Sequence, residues 1–496
     1  MGGPRILAID QGTTSTRAVM FNAAGEPIAV SQKPLQQHYP ADGWVEHDAE
    51  EIWQAALACC RDVIAKTGGV DGIKAIGITN QRETTVIWNR TSGVPVTRAI
   101  VWQDRRGAAL CSALRDAGHE GMIQNKTGLL IDSYFSATKI QWVLDNVAGT
   151  RNAAEKGELA FGTIDTFLLW RLTGGHVHAT DATNASRTML YDIHAGRWDP
   201  TLLNLFAVPE KLLPDVRDTA GDFDASDADL FGRAIPITAL VGDQQGALVG
   251  QACFAPGMIK STYGTGCFVL VNTGKQALPS RNRLLTTIGY RLKGETTYAL
   301  EGSIFNAGTV VQWLRDSAKM IGSAGDSETM AAALDDAGGT GKVYFVPAFT
   351  GLGAPHWNPH ARGAILGLTR DSGIPHIVRA GLESVCYQTH DLLQALRQDG
   401  IAAPKALRVD GGMIANTWLL QFLSDITQVP VERPVYAETT VRGAAFLAGL
   451  GCGLFGSLDD ITAAWGLDFR ADPHMPETQR RVLLEGWQDA VRRVMH

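Results

Sequence analysis

The sequence predicts an α/β protein of two domains with a mixed β-sheet in each half, and three observations lead to this prediction. The chain has 496 residues, more than one hydrophobic core usually serves. Short apolar runs typical of strands alternate with longer segments of helical periodicity. A Gly-Thr turn between two predicted strands occurs at Gly12-Thr13 and again, roughly half the chain later, at Gly264-Thr265. The expected domains are residues 1–250 and residues 251–496.

The first half is predicted to open with several strands and a helix. Apolar runs bounded by turn residues predict strands over residues 5–10, 16–21, 27–31 and 74–79. Asp48 with Glu51 predicts a capping box at the start of a helix, which Gly68-Gly69 ends. A further apolar run, residues 237–241, ends just before Asp243.

The second half repeats the pattern of a hairpin followed by helices and strands. The predicted strands are residues 258–263, 267–271, 343–347 and 406–410. The predicted helices are residues 306–321, 376–398, 416–428 and 443–451.

The composition is that of a folded protein and excludes several classes of function. Hydrophobic residues make up 45% and charged residues 19% of the chain, which argues against disorder and fibrous repeats. The net charge is −7 without a block of Lys or Arg, so nucleic acid is not an expected partner. Neither a signal peptide nor an apolar run of about 18 residues is present, so no integral membrane segment is expected. Seven cysteines without a C-x-x-C pair predict reduced thiols in the cytoplasm.

The first Gly-Thr turn is a candidate phosphate site. The segment from Asp10 to Arg17 contains a carboxylate at a strand end, a glycine turn and the hydroxyl groups of Thr13, Thr14 and Ser15. Such a turn can direct N–H groups and hydroxyls at a phosphate, while Asp10 can hold Mg²⁺ through water. An alternative interpretation is a hairpin with ordinary strand threonines. The second turn, with Thr265, favours the phosphate interpretation because two opposed turns could grip one nucleotide.

Asp243 is the candidate general base. In phosphoryl transfer the protein mainly positions the reactants, and one carboxylate accepts the proton of the attacking hydroxyl. Asp243 follows an apolar run and precedes Gln244. The alternative is that Asp243 is a helix N-cap residue.

Two further sets of residues are candidates for ligand binding. Arg82-Glu83 could bind the hydroxyls of a small polyol, and aromatic residues could contact its carbon edge. The candidate aromatic residues are Trp102, Tyr134 and Phe268. Glycines and amides of the second half are candidate adenosine contacts: Gly308, Gln312, Gly412 and Asn416. Taken separately, these residues could equally be a surface ion pair, core aromatics and packing glycines.

Long strings of this sequence resemble those of the FGGY family of carbohydrate kinases, over nearly the whole chain. The strings are AIDQGTTS at residues 8–15, GITNQRETT at 77–85, NASRTML at 184–190, GDQQ at 242–245, TYGTGCF at 262–268 and RVDGG at 408–412. The resemblance implies two ribonuclease H-like domains, arranged as in actin and hexokinase, with the active site in the cleft between them.

The resemblance also implies an activity and a residue set. The activity is ATP-dependent phosphorylation of glycerol to sn-glycerol 3-phosphate in glycerol catabolism, with Mg²⁺ at Asp10 and Asp243 and with Asp243 as base. Glycerol would be bound by Arg82, Glu83, Trp102, Tyr134, Asp243, Gln244 and Phe268. Nucleotide would be bound by Thr13, Thr14, Ser15, Arg17, Thr265, Gly308, Gln312, Gly412 and Asn416. Family members form dimers and tetramers, so a homo-oligomer is expected.

Three alternative functions remain open: another carbohydrate kinase, an ATPase of the actin type and a protein that only binds carbohydrate. A kinase for a larger polyol or a ketose would use the same cleft. A nucleotide-switched ATPase of the actin type would need both phosphate turns but not the polyol set. A carbohydrate-binding module would need neither phosphate turn.

Overall fold

The computed structural model describes residues 3–334, 342–358 and 360–495. The strands of the first half are β1 Arg5–Gln11, β2 Ser15–Asn22, β3 Pro27–Pro34, β4 Glu46–His47, β5 Ile73–Asn80, β6 Val86–Asn89, β7 Ala99–Ile100, β8 Leu159–Gly162, β9 Ala179–Asp181, β10 Tyr191–Asp192, β11 Arg197–Trp198, β12 Asp215–Arg217 and β13 Ile237–Gly242. Its helices are α1 Ala49–Lys66, α2 Ala108–Asp116, α3 Glu120–Thr127, α4 Ser136–Asn146, α5 Thr150–Lys156, α6 Ile164–Leu172, α7 Ala182–Ala185, α8 Pro200–Leu205, α9 Ala228–Phe231 and α10 Asp243–Gly250.

The second half contains longer strands and helices. Its strands are β14 Ile259–Tyr263, β15 Cys267–Gly274, β16 Leu285–Leu292, β17 Glu295–Ile304, β18 Tyr344–Val346, β19 Ala364–Leu366, β20 Leu407–Asp410, β21 Val431–Pro434 and β22 Leu467–Ala471. Its helices are α11 Gly308–Gln312, α12 Ala324–Ala332, α13 Ile374–Gln398, α14 Thr417–Thr427, α15 Thr439–Gly451, α16 Leu458–Ala464 and α17 Glu477–Met495. In the described part of the chain, none of the helices is both long and apolar enough to cross a membrane.

The two halves repeat one sheet topology. The first sheet has the order β13-β5-β1-β2-β3, in which β1, β2 and β3 are antiparallel and β5 and β13 run parallel to β1. In the second sheet β14, β15 and β17 form the same antiparallel meander, and β20 and β21 run parallel to β14. Strands β16 and β22 extend its two edges. The predicted mixed sheet in each half is confirmed.

Strand β1 is buried on both faces, which explains its unbroken apolar sequence. Leu7 and Ile9 pack in the cluster that contains helix α1, while Ile6 and Ala8 pack in the cluster that contains α15. Side chains alternate between the faces of a strand, so both sets must be apolar. Helix α15, from the second half of the chain, therefore covers the first sheet.

Helices α10 and α15 cross at backbone contact. A Cβ atom on Gly443 would lie 1.8 Å from the carbonyl oxygen of Gly246, and one on Gly250 would lie 2.0 Å from that of Thr439. Because real Cβ contacts do not come so close, only glycine fits at these positions without displacement. The crossing places the two halves against each other just behind Asp243.

Two local predictions are corrected by the structure. Asp48 caps α1 by accepting from the N–H groups of Glu50 and Glu51 at 2.8 and 3.3 Å, but the Glu51 side chain accepts from Gln36 N, so the reciprocal bond of a capping box is replaced. The helix predicted over residues 306–321 is shorter. Helix α11 continues only as a π-helical turn, Trp313–Ser317, and Lys319 then adopts a φ of 55°, which ends helical geometry.

Candidate active site

Charged side chains gather at the carboxyl end of the first sheet. Arg82 and Glu83 follow β5, and Asp243 follows the neighbouring parallel strand β13 at the first position of α10. Ends of parallel strands meet at one edge of a sheet, which brings Arg82 Nε to 3.2 Å from Asp243 Oδ1. The backbone N–H of Gln244 donates to the same oxygen at 2.7 Å. Asp243 therefore lies inside the helix and is not its N-cap residue, which is Gly242.

Arg82 and Glu83 belong to a buried network of two arginines and two glutamates. Arg82 is paired with Glu301 of β17, whose Oε1 accepts from Arg82 Nη2 at 3.1 Å and from Arg187 Nη2 at 2.9 Å. Arg187 Nε donates to Glu83 Oε1 at 2.7 Å. Burial opposes ionisation of Glu301, but Arg187 and Arg82 outweigh it and lower the pKa of that carboxyl to about 2. The interpretation of Arg82-Glu83 as a surface ion pair is wrong, since both side chains are at most 2% exposed.

Three aromatic rings stand beside this network. The Trp102 ring centroid is 5.5 Å from that of Tyr134 and 6.3 Å from that of Phe268, both in edge-to-face geometry. Trp102 Nε1 donates to Thr13 Oγ1 at 2.8 Å, which ties the aromatic group to the first Gly-Thr turn. Arg82 Nη2 donates to the Tyr134 hydroxyl at 3.3 Å. Hydrogen bonds to Thr13 and from Arg82, which line the same cavity, thus fix two of the three rings.

These groups surround one cavity of about 160 Å³ that both halves of the chain line. Its lining residues are Thr13, Thr14, Gln81, Arg82, Glu83, Trp102, Tyr134, Asp243, Gln244, Thr262, Gly264, Thr265, Gly266 and Phe268. The predicted polyol residues and the two Gly-Thr turns therefore meet in a single cleft.

A second cavity, of about 310 Å³, adjoins the first and shares Gly264 and Thr265 with it. It includes every predicted adenosine contact: Gly308, Gln312, Gly412 and Asn416. Its walls are brought together by close backbone packing. A Cβ atom on Gly308 would lie 2.5 Å from the carbonyl oxygen of Gly264, and one on Gly411, which has a φ of 92°, would lie 2.5 Å from that of Tyr263.

Asp10 stands near the end of β1, where the charge of Asp243 acts on it. Burial raises the pKa of Asp10 to about 7; Arg17 opposes the rise, whereas Glu438 and Asp243 add to it. Burial also raises the pKa of Asp243, against the effect of Arg82 and Lys260. The two carboxylates therefore repel each other, and a bound cation would relieve that repulsion.

Ser15 and Arg17 take positions on β2 away from both cavities. Ser15 Oγ accepts from Gln32 Nε2 at 2.8 Å, and Arg17 is paired with Glu438 at the start of α15. Among the described residues that line the two cavities, neither Ser15 nor Arg17 occurs. Arg17 faces Asp10 across the β1–β2 pair, so its charge acts on that carboxylate.

Three buried charged residues contact the predicted site residues but were not predicted from the sequence: Arg187, Glu301 and Lys260. Each lies in or next to an apolar segment, and Glu301 and Lys260 stand within predominantly buried strands. A charge in a buried strand needs a partner, and this signal was present in the sequence. The identity of the partner was not, because Glu301 is 219 positions from Arg82.

Comparison with known proteins gives consistent results over nearly the full chain. Residues 5–250 match the model of the N-terminal domain of the FGGY family of carbohydrate kinases, and residues 259–452 match that of its C-terminal domain. The chain is 60% identical to a glycerol kinase of Ectopseudomonas mendocina and 61% identical to one of Rhodospirillum centenum. Each match covers 99% of this chain and 98% of the relative.

Solved structures agree with these relatives. The crystal structure of Plasmodium falciparum glycerol kinase with ADP superimposes with a TM-score of 0.92 at 36% identity, covering 100% of this chain and 99% of that one. Gluconate kinase from Lactobacillus acidophilus gives a TM-score of 0.88 at 22% identity, covering 99% and 98%, and supports the fold alone.

Proposed function

This chain belongs to the FGGY family of carbohydrate kinases, and on that premise we propose that it transfers the γ-phosphoryl group of ATP to glycerol. The product is sn-glycerol 3-phosphate, and the expected role is glycerol catabolism. One observation carries the proposal: the cavity that holds Arg82, Glu83 and Asp243 also contains Thr265, which it shares with the neighbouring cavity. An acceptor in the first cavity would therefore meet a nucleotide in the second at the Thr265 turn.

Acceptor binding follows from the lining of the smaller cavity. Arg82 and Glu83 offer charged hydrogen-bond partners to neighbouring hydroxyls, and Gln244 offers an amide. Trp102 and Phe268 supply an apolar surface for the carbon edge of a polyol. Trp102, Tyr134 and Phe268 also line a neighbouring cavity of about 410 Å³, so the polar and aromatic lining, rather than the volume of about 160 Å³, selects the acceptor.

Asp243 is the proposed general base. Its carboxylate accepts the proton of the attacking terminal hydroxyl as the oxygen bonds to phosphorus. Arg82 Nε, 3.2 Å from Oδ1, holds the carboxylate in one orientation and favours its charged form. The Arg82 guanidinium would thus orient both the base and the polyol whose proton the base accepts.

The nucleotide is proposed to lie along the shared wall of the two cavities. Gly308, Gln312, Gly412 and Asn416 would contact the adenosine, and the turns with Thr13, Thr14 and Thr265 would contact the phosphates. Ser15 and Arg17 line neither cavity among the described residues, so contact of Ser15 with a phosphate stays a prediction, and Arg17 would act through its charge. Glycine at the turns allows backbone N–H groups to approach a phosphate closely.

The carboxylates of Asp10 and Asp243 would hold Mg²⁺. The described residues contain no group of three or more His, Cys, Asp or Glu side chains that could hold a metal ion by themselves. Mg²⁺ in nucleotide sites usually keeps several waters and binds one or two carboxylates plus phosphates, which this pair can provide. When bound, Mg²⁺ neutralises charge on the phosphates.

The assembly and surroundings of the protein also belong to the proposal. We propose two functional domains that divide near residue 250, acceptor chemistry in the first and adenosine binding in the second. Closure of these domains would exclude water as a competing acceptor. A homodimer or homotetramer in the cytoplasm is proposed from the family resemblance and the reduced cysteines, all of which are free in the structure.

An acceptor panel tests the activity. ADP release is measured with glycerol and with a set of larger polyols, ketoses and sugar acids, each at several concentrations. We expect the highest kcat/KM for glycerol. A higher value for a ketose or a larger polyol would identify a different carbohydrate kinase, and ATP turnover that no acceptor stimulates would favour an ATPase of the actin type.

A further inference from the structure

The residue before Asp243 is fixed by a buried hydroxyl. The backbone N–H of Gly242 donates to Thr183 Oγ1 at 2.9 Å, and that hydroxyl donates to Asp181 Oδ1 at 2.8 Å. Asp181 also accepts from the hydroxyl of Thr219 at 2.9 Å. The side chains of Thr183, Asp181 and Thr219 are all fully buried. The turn from β13 to α10 is thereby attached to α7.

The residue after Asp243 is fixed by a buried ammonium group. Lys260, on β14 of the second half, donates from Nζ to Gln244 Oε1 at 2.5 Å, to Thr262 Oγ1 at 2.8 Å and to the carbonyl oxygen of Phe268 at 3.3 Å. An ammonium group has three donors, so all of them have partners here. Lys260 is fully buried, and it joins the hairpin of the second Gly-Thr turn to the acceptor-side helix.

Thr183 and Lys260 bond different parts of the site, so their removal should affect different kinetic constants. Thr183 bonds a backbone group adjacent to the base. Lys260 bonds the side chain of Gln244 and the backbone of Phe268, both lining the acceptor cavity. The Lys260 charge also faces the carboxylates of Asp410, Asp243 and Glu301, with Arg82 nearby.

We propose that Thr183 and Lys260 are positioning residues for the reaction, Thr183 for the base Asp243 and Lys260 for the acceptor through Gln244. This inference rests on the proposed function. Neither residue needs to touch a substrate, because each acts through the neighbour of Asp243 that it holds. Removal of Thr183's hydroxyl should therefore affect turnover, and removal of Lys260's ammonium should affect acceptor binding.

The first test is Thr183→Val, which keeps the shape of the side chain and leaves Gly242 N without its acceptor. We expect kcat to fall at least about tenfold, since a displacement of the base by ~1 Å can cost about 10²-fold. The KM for glycerol should change less than about twofold, because the acceptor contacts remain. Thr183→Ser keeps the hydroxyl and should restore kcat to within about threefold of the wild type.

Thr180→Val is the matched control. Thr180 is also buried, and its hydroxyl donates to a buried carboxylate, Asp165 Oδ2, at 2.7 Å. Both substitutions remove a hydroxyl that donates to a buried carboxylate, but only the Thr183 hydroxyl also accepts from the turn that carries Asp243. We expect wild-type kcat for Thr180→Val and a decrease in Tm for both valine variants, larger for Thr183→Val because Gly242 N also loses its acceptor.

The second test is Lys260→Met, for which the opposite kinetic split is expected. The KM for glycerol should rise about tenfold, the equivalent of one positioned hydrogen bond, while kcat falls less and ADP affinity, measured by calorimetry, stays within about twofold. If Lys260→Met does not yield folded protein, Thr262→Val removes one of the three acceptors and should raise KM about threefold.

The outcomes separate the inference from the function on which it rests. Equal kcat for Thr183→Val and Thr180→Val would overturn the role of Thr183. A wild-type KM in folded Lys260→Met, or in Thr262→Val if that variant is needed, would overturn the role of Lys260. The proposed function is judged separately, by glycerol-dependent ADP release from the wild type and its loss in Asp243→Asn.

Discussion

The two sheets share a strand order, but their strand ends carry different residues. Strands β5 and β20 take the same place in the two sheets, as do β13 and β21. Arg82 and Glu83 follow β5, whereas Gly411 and Gly412 follow β20, and Asp243 follows β13, whereas Val435 follows β21. Charged side chains can bind an acceptor and move a proton, whereas glycines let a ligand approach the backbone. The same framework thus supports chemistry in one half and close packing of a ligand in the other.

The two Gly-Thr turns are closed in the same way but differ in their surroundings. A backbone bond closes each turn, from Gly12 N to the Ser15 carbonyl oxygen at 3.0 Å and from Gly264 N to the Gly266 carbonyl oxygen at 2.9 Å. Trp102 Nε1 also donates to the Thr13 hydroxyl of the first turn at 2.8 Å. A Cβ atom on Gly266 would lie 2.7 Å from the carbonyl oxygen of Ile304. A Cβ atom on Gly12 of the first turn would come no closer than 3.4 Å, to the Ser15 carbonyl oxygen, so alanine should disturb the second turn at Gly266 more than the first turn at Gly12.

The largest effect is expected for Asp243→Asn. An amide cannot accept the hydroxyl proton, so kcat should fall by about 10²–10⁴, the usual contribution of a general base. Nucleotide affinity should change little, because the adenosine contacts lie in the other half. Steady-state kinetics and ADP calorimetry check both statements. Turnover near that of the wild type would remove Asp243 from the mechanism.

Arg82→Ala should weaken acceptor binding and folding together. The KM for glycerol should rise at least about tenfold through loss of a charged hydrogen-bond partner. Breaking a buried ion pair on one side should also cost about 3–5 kcal/mol of unfolding free energy, because Glu301 keeps only Arg187. Kinetics with varied glycerol and denaturant unfolding measure the two effects.

Arg106→Ala provides the control for that experiment. Arg106 is also buried, pairs with Asp104 and Glu46, and lies 3.8 Å from the Trp44 ring centroid. Arg106 is not among the described residues that line the acceptor cavity or the adenosine cavity. Its variant should lose similar stability while keeping the wild-type KM. A KM increase of the same size in both variants would mean that Arg82 acts only through stability.

In the second half, Gly411→Ala and Gly412→Ala should differ. Gly411 has a φ of 92°, and its Cβ would lie 2.5 Å from the Tyr263 carbonyl oxygen, so alanine there should cost about 1–3 kcal/mol of stability and weaken ADP binding. A Cβ on Gly412 would meet no atom within 4 Å. Gly412→Ala should keep wild-type stability and weaken ADP binding about threefold to tenfold by occupying ligand space. Unchanged ADP affinity in Gly412→Ala would exclude Gly412 as a contact.

Local sequence patterns predicted the framework because they depend on neighbouring residues. The strand predicted over residues 5–10 is β1, Arg5–Gln11, since its apolar run suits a strand buried on both faces. The repeated Gly-Thr turn indicated the duplicated sheet. The crossing of Gly443 with Gly246 and the pairing of Arg82 with Glu301 were not predictable from local patterns, because each joins distant segments. Local patterns named the site residues as separate candidates, the family resemblance joined them into one set, and their roles stay predictions.

The smallest expected effect concerns Asp10 and its counterpart in the second half. Thr262 stands two residues before Gly264, as Asp10 stands two residues before Gly12, so only the first turn carries a carboxylate. Burial raises the pKa of Asp10 from 3.8 to about 7. A raised pKa means that the folded state binds the proton more tightly than the unfolded state, so the corresponding stability is present below about pH 4 and is lost as the pH rises to about 7.

Asp10→Asn lacks this titration. Without nucleotide and magnesium, its Tm should therefore exceed that of the wild type by an amount that grows between pH 4 and pH 7 and is constant above. The difference should be about 1–3 °C, because a free-energy change at one group shifts the Tm of a long chain only a little. Calorimetric scans at pH 5 and pH 8 measure it. A Tm difference that is the same at both pH values would contradict the raised pKa of Asp10. A variant less stable than the wild type at pH 8 would show that the charged Asp10 carboxylate does not destabilise the first turn.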